Sequence, residues 1–446
     1  MPSLVAAFPR FTVEDWRAAV AGAKSGAGDA TALAAAIENH ALFARKMRGT
    51  PIAGGPAGAR PAVVQRSGGL DAAMLAEVIA GGANGVDIAL PGTLHPLGAN
   101  VAGGQARATF AAIADTLPDG FTLRIDAGGA NLQTAASFEV SALYELAAAK
   151  HARLVFTFDP VAAAAMGRGA TSVAEALSAT ADALDAHGIE GAIASADGRI
   201  WHAAGATEEQ ELAAVLATYV AHLRAVPEPG RIEIELATDA DQFRSMAKLR
   251  AMRLLAARVS ETSGLSSTPR IHAETAWRMM SGVDTDTNIL RTTVAAFAAI
   301  VGGADSLTVL PHDCLTGSSV EAARLARNTQ IILTDEANLH RVADPAAGSG
   351  ALEALTGSFA EGAWRRFQRI ETEGGILAAL AHGELLNQIA EAQAARLQRG
   401  RSSSATLVGV NAYRANGQAS PKVSAERAPI GRVTTLTLQR LSEDFE

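Results

Sequence analysis

From Pro61 to about Arg341, short apolar runs alternate with longer stretches whose apolar residues recur every three or four positions. The short runs are Ala62–Gln65, Gly85–Leu90, Phe121–Ile125, Arg153–Phe158, Gly191–Ala194, Ile232–Leu236, Ile271–Thr275 and Asp305–Leu310. Each has the length and apolar content of a buried strand. Between them, Leu212, Val215, Leu216, Tyr219, Val220 and Leu223 mark one helical face, and Met246, Leu249, Met252 and Leu254 lie on another helix. Two parallel strands need a crossover between them, usually a helix. Strand–helix alternation repeated eight times therefore predicts an α/β fold closed as a (β/α)8 TIM barrel. An open, doubly wound sheet is the competing architecture.

The flanks break this rhythm. Phe8, Phe11 and Trp16 surround one helix expected over Thr12–Ala23, with Thr12 as its cap, and Gly54-Gly55-Pro56-Ala57-Gly58 reads as a linker. Residues 1–59 are thus expected to form an N-terminal arm, 60–380 the barrel, and 381–446 a C-terminal helix and linker extension. Helices are expected over Ala351–Gly374 and Leu385–Arg399. The tail from Val408 carries Pro421, Pro429 and one β-like run, Val433–Leu438.

Composition narrows the class. The chain has 446 residues, 48 % of them hydrophobic but only 4 % aromatic, so its core must be aliphatic. A net charge of −8 argues against a nucleic-acid surface. The single cysteine, Cys314, excludes an intrachain disulfide and suits a reducing compartment. No apolar run is long enough for a membrane span, and the first ten residues lack a signal pattern, so the expectation is a cytoplasmic protein.

The stretch from Arg270 to Thr293 concentrates the candidate chemistry. Arg270, His272 and Glu274 lie on an expected strand, and Asn288-Ile289-Leu290-Arg291 opens a long apolar helix that Asp284 or Thr285 could cap. Polar groups at the carboxyl end of a strand are where α/β enzymes place their sites. The sequence here, R-x-H-x-E-T followed by N-x-x-R-T-T and then Gly302-Gly303-Ala304-Asp305-Ser306-Leu307, resembles the methylmalonyl-CoA mutase family. The resemblance continues through Ala326-Arg327-Asn328-Thr329-Gln330, Arg341-Val342-Ala343-Asp344-Pro345, Glu373-Gly374-Gly375-Ile376 and Val408-Gly409-Val410-Asn411-Ala412-Tyr413. Upstream it includes Gly205-Ala206-Thr207 and Ala247-Lys248-Leu249-Arg250-Ala251. The A-E-T-x-W-R-M pattern and the T-V-L-P run resemble the small (β) subunit of the bacterial heterodimeric enzyme.

The resemblance implies a reaction that interconverts (R)-methylmalonyl-CoA and succinyl-CoA through radicals started by adenosylcobalamin. It also implies which positions should grip the substrate, and these read as altered. The tyrosine after the first strand is Arg66 here. Counting back from Gly205 to the histidine that meets the thioester carbonyl gives Ile200, with His202 two residues away and, on a strand, facing the same side. The glutamine of the seventh strand is Glu274, which offers no N–H. The glutamate after Asp313 is Cys314. Phe158-Asp159-Pro160-Val161 stands where the catalytic chain has Gly-Thr-Ile-Gln-Asn-Asp, and the cobalt-ligating Asp-x-His-x-x-Gly motif does not occur.

The expectation is a non-catalytic β subunit without a cobalamin-binding domain. No catalytic residue and no metal ligand is assigned to it. Arg270, His272 and His202 are the candidates for residual substrate binding. Adenosylcobalamin would be held by the large (α) subunit, its partner, and the acyl-CoA substrate would be met through the complex. Two alternatives are a catalytic acyl-CoA mutase barrel that borrows a separate cobalamin-binding subunit, and a scaffold that binds CoA esters. Other features read as structural: Arg327-Asn328-Thr329-Gln330 as packing, and Lys248, Arg250 and Arg253 as a solvated, salt-bridged helix face. Cys314 reads as an inert thiol, and the pairs Gly81-Gly82, Gly128-Gly129 and Gly302-Gly303 as tight turns.

Overall fold

The computed structural model describes residues 51–52, 58–66, 72–90, 92–98, 117–128, 152–168, 172–189, 191–414 and 435–445, with isolated residues 15, 108 and 111. The helix expected over Thr12–Ala23, and most of the expected arm, lie outside the described residues.

Among the described residues nine parallel strands form one sheet: β1 (Ala62–Arg66), β2 (Gly85–Ala89), β3 (Thr122–Gly128), β4 (Arg153–Phe158), β5 (Gly191–Ala192), β6 (Ala194–Asp197), β7 (Ile232–Thr238), β8 (Ile271–Thr275) and β9 (Ser306–Thr308). Their spatial order is β5-β4-β3-β2-β1-β9-β8-β7-β6. The two ends of this order are neighbours in sequence, separated by Ile193, whose N–H reaches Arg231 O at 2.8 Å. β5 and β6 are therefore one interrupted strand, and the sheet closes into the expected (β/α)8 barrel. Closure needs Gly191: its φ is +150°, and a Cβ there would lie 2.1 Å from Leu154 O on β4.

Alternation decides what each strand offers. Leu123, Ile125, Leu154, Phe156, Ile234, Leu236, Ile271 and Leu307 point outward into the apolar layer beneath the helices. The helices are α1 (Ala72–Ala80), α2 (Pro160–Ala165), α3 (Val173–Asp185), α4 (Gly198–Ala203), α5 (Glu208–Ala225), α6 (Gln242–Thr262), α7 (Thr287–Val301), α8 (Val320–Ile331), α9 (Gly350–Thr372), α10 (Ile376–His382) and α11 (Glu384–Arg401). α9 packs across α5 and α6 as a second outer layer, carrying Phe359, Ala363 and Phe367 into the same core.

Several local expectations change. The segment from Gly198 is the helix α4, started by Asp197, whose side chain accepts from Arg199 N. Strand alternation therefore does not relate Ile200 to His202; two residues on a helix point to nearly opposite sides. The described part of the Val433–Leu438 run forms no strand. It is an extended strap, with Leu436 N donating to Ala165 O at 2.8 Å and Gln439 N to Ala203 O at 3.0 Å. Lys248 and Arg250 do not lie on a solvated face: they are 1 % and 0 % exposed. α6 is sandwiched between the barrel and α9, so its cations are satisfied by buried carboxylates, Lys248 by Glu211 and Arg250 by Asp344 and Glu353. The residue before α7 is Asp286, not Asp284 or Thr285, and its side chain makes no cap; Asp284 Oδ1 accepts from the N–H of Thr287 at 3.3 Å.

Candidate functional site: the barrel lumen

Many of the inward positions of these strands are charged. β3 contributes Arg124 and Asp126, β7 Glu233 and Glu235, β8 His272 and Glu274, β1 Arg66 and β2 Asp87, with Arg199 and Asp197 entering from the β6–α4 junction. Arg124 joins Glu233 on one side and Glu235 Oε1, at 2.6 Å, on the other. Arg199 sits higher and meets Asp197 at 2.9 Å, Glu235 at 2.6 Å, Glu274 at 3.3 Å and Asp126 at 3.7 Å. Arg66 pairs with Asp87 at 3.4 Å and donates to Gly98 O at 2.9 Å. Arg153 reaches Glu233 from the open lower end, at 3.3 Å. Among the described residues four guanidiniums thus face six carboxylates, all deeply buried except Arg153.

Glu274 is the best-held group. Its Oε1 lies 2.8 Å from His95 Nε2 and its Oε2 3.3 Å from Arg199 Nη1. Burial opposes its charge, but the nearby His95 and Arg199 prevail and hold the carboxyl well below the usual range. Burial raises the Asp126 carboxyl, against the pull of Arg199 and the hydrogen bond from Thr93. Burial, reinforced by Arg124 and Arg199, pushes His272 well down, so it is neutral, with Nδ1 2.8 Å from Ser306 Oγ.

The carboxyl end of the barrel is covered. The strap 435–445 crosses it, with Leu441 N donating to Arg278 O at 3.0 Å and Ser442 Oγ to Met280 O at 2.9 Å. Arg440, 1 % exposed, lies 5.8 Å from the Trp277 ring centre. Below it Cys314 packs with Met279, Met280 and Leu310.

The positions singled out by sequence separate into three places. Arg66 and Glu274 enter the lumen and Cys314 lines its covered mouth. Ile200 faces the apolar layer outside the sheet; its neighbour Arg199 is the residue that reaches inward. His272 is in the lumen, but Arg270 is exposed at the amino end of β8 and donates to Asp305 O at 3.4 Å. His202 lies outside the barrel, 2.9 Å from Glu211 and 3.2 Å from Asp239. Sequence reasoning missed Arg124, Arg199, Glu235 and His95. The signal was present: charges at every second position of apolar strands, as in Arg124-x-Asp126 and Glu233-x-Glu235, mark a polar interior face.

Fold and lumen together define a parallel β/α barrel whose axis is filled by ion pairs. The family described as methylmalonyl-CoA mutase matches residues 190–443, and the chain belongs to that family. The chain is 38 % identical over 304 residues to a probable methylmalonyl-CoA mutase small subunit of Mycobacterium tuberculosis, covering 65 % of this chain and 48 % of that one. It is 44 % identical over 224 residues to a methylmalonyl-CoA mutase small subunit of Streptomyces virginiae, covering 48 % and 36 %. Against the bovine mitochondrial methylmalonyl-CoA mutase the identity is 37 % over 189 residues, 41 % of this chain and 25 % of the other. The chain spans about half the length, or less, of the curated relatives it matches. No helix among the described residues is long and apolar enough to cross a membrane.

Proposed function

We propose that this chain is the non-catalytic β subunit of an adenosylcobalamin-dependent methylmalonyl-CoA mutase, and that it stabilises a catalytic α subunit. The observation that carries this reading is the Glu274–His95–Arg199 cluster in the lumen. A mutase barrel needs donors turned toward a thioester carbonyl and a substrate carboxylate, in a space closed to water. Here the strongest donors are spent on protein carboxylates and are not turned toward a bound anion. Glu274 can accept hydrogen bonds but cannot give one.

The family implies adenosylcobalamin. Active sites of β/α barrels open at the carboxyl end of the strands, and at that end the strap and Arg440 lie across the mouth. These residues do not fit a cofactor docked there. In this reading the cofactor and the acyl-CoA are handled by the α subunit, and Arg66, Glu274 and Cys314 are former site positions, with Arg199 rather than Ile200 entering the lumen beside them.

Co-expression with the large subunit tests the proposal. A stable complex is expected, with mutase activity and the cobalamin spectrum confined to preparations that contain α. Turnover by this chain mixed with a cobalamin-binding protein alone would overturn the reading and favour a catalytic barrel. Saturable binding of methylmalonyl-CoA by the isolated chain would favour a CoA-ester scaffold.

A further inference from the structure

A second polar site lies outside the lumen, where the starts of α5 and α6 meet the end of α11. It is a cavity of 690 Å³ bounded by Glu208, Asp241, Arg278, Arg396, Arg399 and Leu407, with other neighbours. Small-molecule sites have volumes in this range.

Its charges divide unequally. On one wall each cation has a carboxylate: Arg244 pairs with Glu208, Lys248 with Glu211 at 2.7 Å, and Arg278 with Asp239 at 2.8 Å. Asp241 uses its carboxylate to cap α6. The other wall carries Arg396 and Arg399 on α11, three residues apart and on one face of the helix. Arg396 donates to Gly205 O at 2.6 Å and to Ala206 O at 3.5 Å, both neutral carbonyls. Neither Arg396 nor Arg399 has a carboxylate partner among the described residues. Arg278, though paired with Asp239, keeps one donor unused: it is 4 % exposed, and its Nε has no hydrogen-bond partner among the described residues.

Holding Arg396 there is unfavourable in the free protein. Burial, together with Arg278, lowers it to about 10, against the pull of Glu208 and Asp239. A guanidinium kept partly out of water, near two others and hydrogen-bonded only to neutral carbonyls, gains from an oxyanion that its planar fork can grip. Leu397, Leu407 and Leu441 provide apolar surface at the same cavity. Its volume greatly exceeds that of a bare phosphate, since a water occupies only about 30 Å³ of liquid.

We propose that the cavity between α5, α6 and α11 binds a small organic anion, its phosphate or carboxylate held by Arg396 and Arg399 and its body against the leucines. The site is separate from the lumen and does not depend on the mutase reading.

Titration calorimetry on the full chain tests this with AMP, citrate and succinate as probes, adenosine as the uncharged control, and inorganic phosphate for the anion alone. Saturable binding of at least one organic anion is expected, with none for adenosine, and it should weaken as salt rises. AMP against citrate and succinate separates a phosphate ligand from a carboxylate one. Arg396→Gln and the more exposed Arg399→Gln should each raise Kd at least tenfold, whereas Arg365→Gln, on α9, should leave it unchanged. Thermal unfolding of each variant without ligand shows that it is folded, and Arg399→Gln keeps the test intact if Arg396→Gln is not. Absence of saturable binding for all three organic anions would overturn the proposal. So would binding that both arginine variants retain, or binding of inorganic phosphate alone at millimolar concentration.

Discussion

Glu274→Gln restores the side chain that the resemblance leads one to expect on β8, and it should destabilise the protein. The amide is nearly the same size, so packing is kept and the charge is what changes. Glu274 is 2 % exposed and accepts from His95 at 2.8 Å and Arg199 at 3.3 Å. Breaking a buried ion pair typically costs about 3–5 kcal/mol. Arg199 retains Asp197 and Glu235, which places the expected loss near the lower end, about 3 kcal/mol. The sign with pH follows from the folded carboxyl lying below its unfolded value, held there by His95 and Arg199 against burial. Stability from this group is fully present above the unfolded value of about 4.3 and is lost as pH falls toward the folded one. Urea unfolding of parent and variant should therefore show a gap in midpoint that is full above about pH 6, begins to narrow below about pH 5 and keeps shrinking as pH falls toward the folded carboxyl's value. Equal midpoints at neutral pH, or a gap that persists unchanged at pH 3.5, would show that Glu274 is not paired as described. A variant that gained affinity for methylmalonyl-CoA without losing stability would undo the argument that the lumen's donors are committed.

Burial lowers His222 to about 3, and neither of its ring nitrogens has a hydrogen-bond partner among the described residues. Its unfolded form takes a proton below about pH 6.5, so stability must fall as pH drops from there to about 3. His222→Leu should remove that dependence and raise stability at pH 5 by about 2 kcal/mol, read from urea midpoints. Burial also pushes Cys314 up to about 12, with the neighbouring Asp313 adding to it. Ellman's reagent at pH 8 should find the thiol unreactive in the folded chain and fully reactive in denaturant; fast labelling of the native protein would contradict the packing around Met280 and Leu310. Gly205→Val should loosen α11, because φ is +96° there and a Cβ would lie 2.4 Å from Gln393 Cβ. Limited proteolysis should then cut the C-terminal segment faster, and an unchanged digestion pattern would count against that contact.

The barrel was legible because its signal is periodic and local. Each of the eight apolar runs became a strand or part of one, since a strand buried on its outer face must be apolar there whatever its partners. The site was less legible because its meaning lies in pairings across the barrel. His95 and Glu274 are 179 positions apart, and Arg124 and Glu235 are 111 apart. No local pattern announces such pairs. Counting along the chain failed at Ile200 for a different reason: Asp197 caps a helix there, and its geometry sends Arg199, not Ile200, into the lumen. The cations of α6 were misread as solvated because their partners are remote in sequence: Lys248 meets Glu211 on α5, 37 positions away, and Arg250 meets Asp344, 94 away, and Thr356 on α9, 106 away.

Stability alone does not account for a charged axis. Filling a barrel with aliphatic layers is the common solution, and replacing buried ion pairs by apolar groups of like volume is often neutral or stabilising. Arg124, Arg199, Glu233, Glu235 and Glu274 therefore hold their places at little net gain over a greasy interior, so long as all of them are present. Removing one leaves its partner buried and uncompensated, and the loss is large. A lumen built this way tolerates change only in matched pairs. That asymmetry gives a direct means of separating the two readings of the barrel. If the interior is a filled scaffold, replacing Arg199 and Glu274 together by Met and Leu should cost less than the two single losses summed, the remainder coming from Asp197 and Glu235 left without Arg199, and should leave α-subunit binding intact. If the interior still takes part in substrate handling, the double variant should fold, pair with α, and yet lower the turnover of the complex.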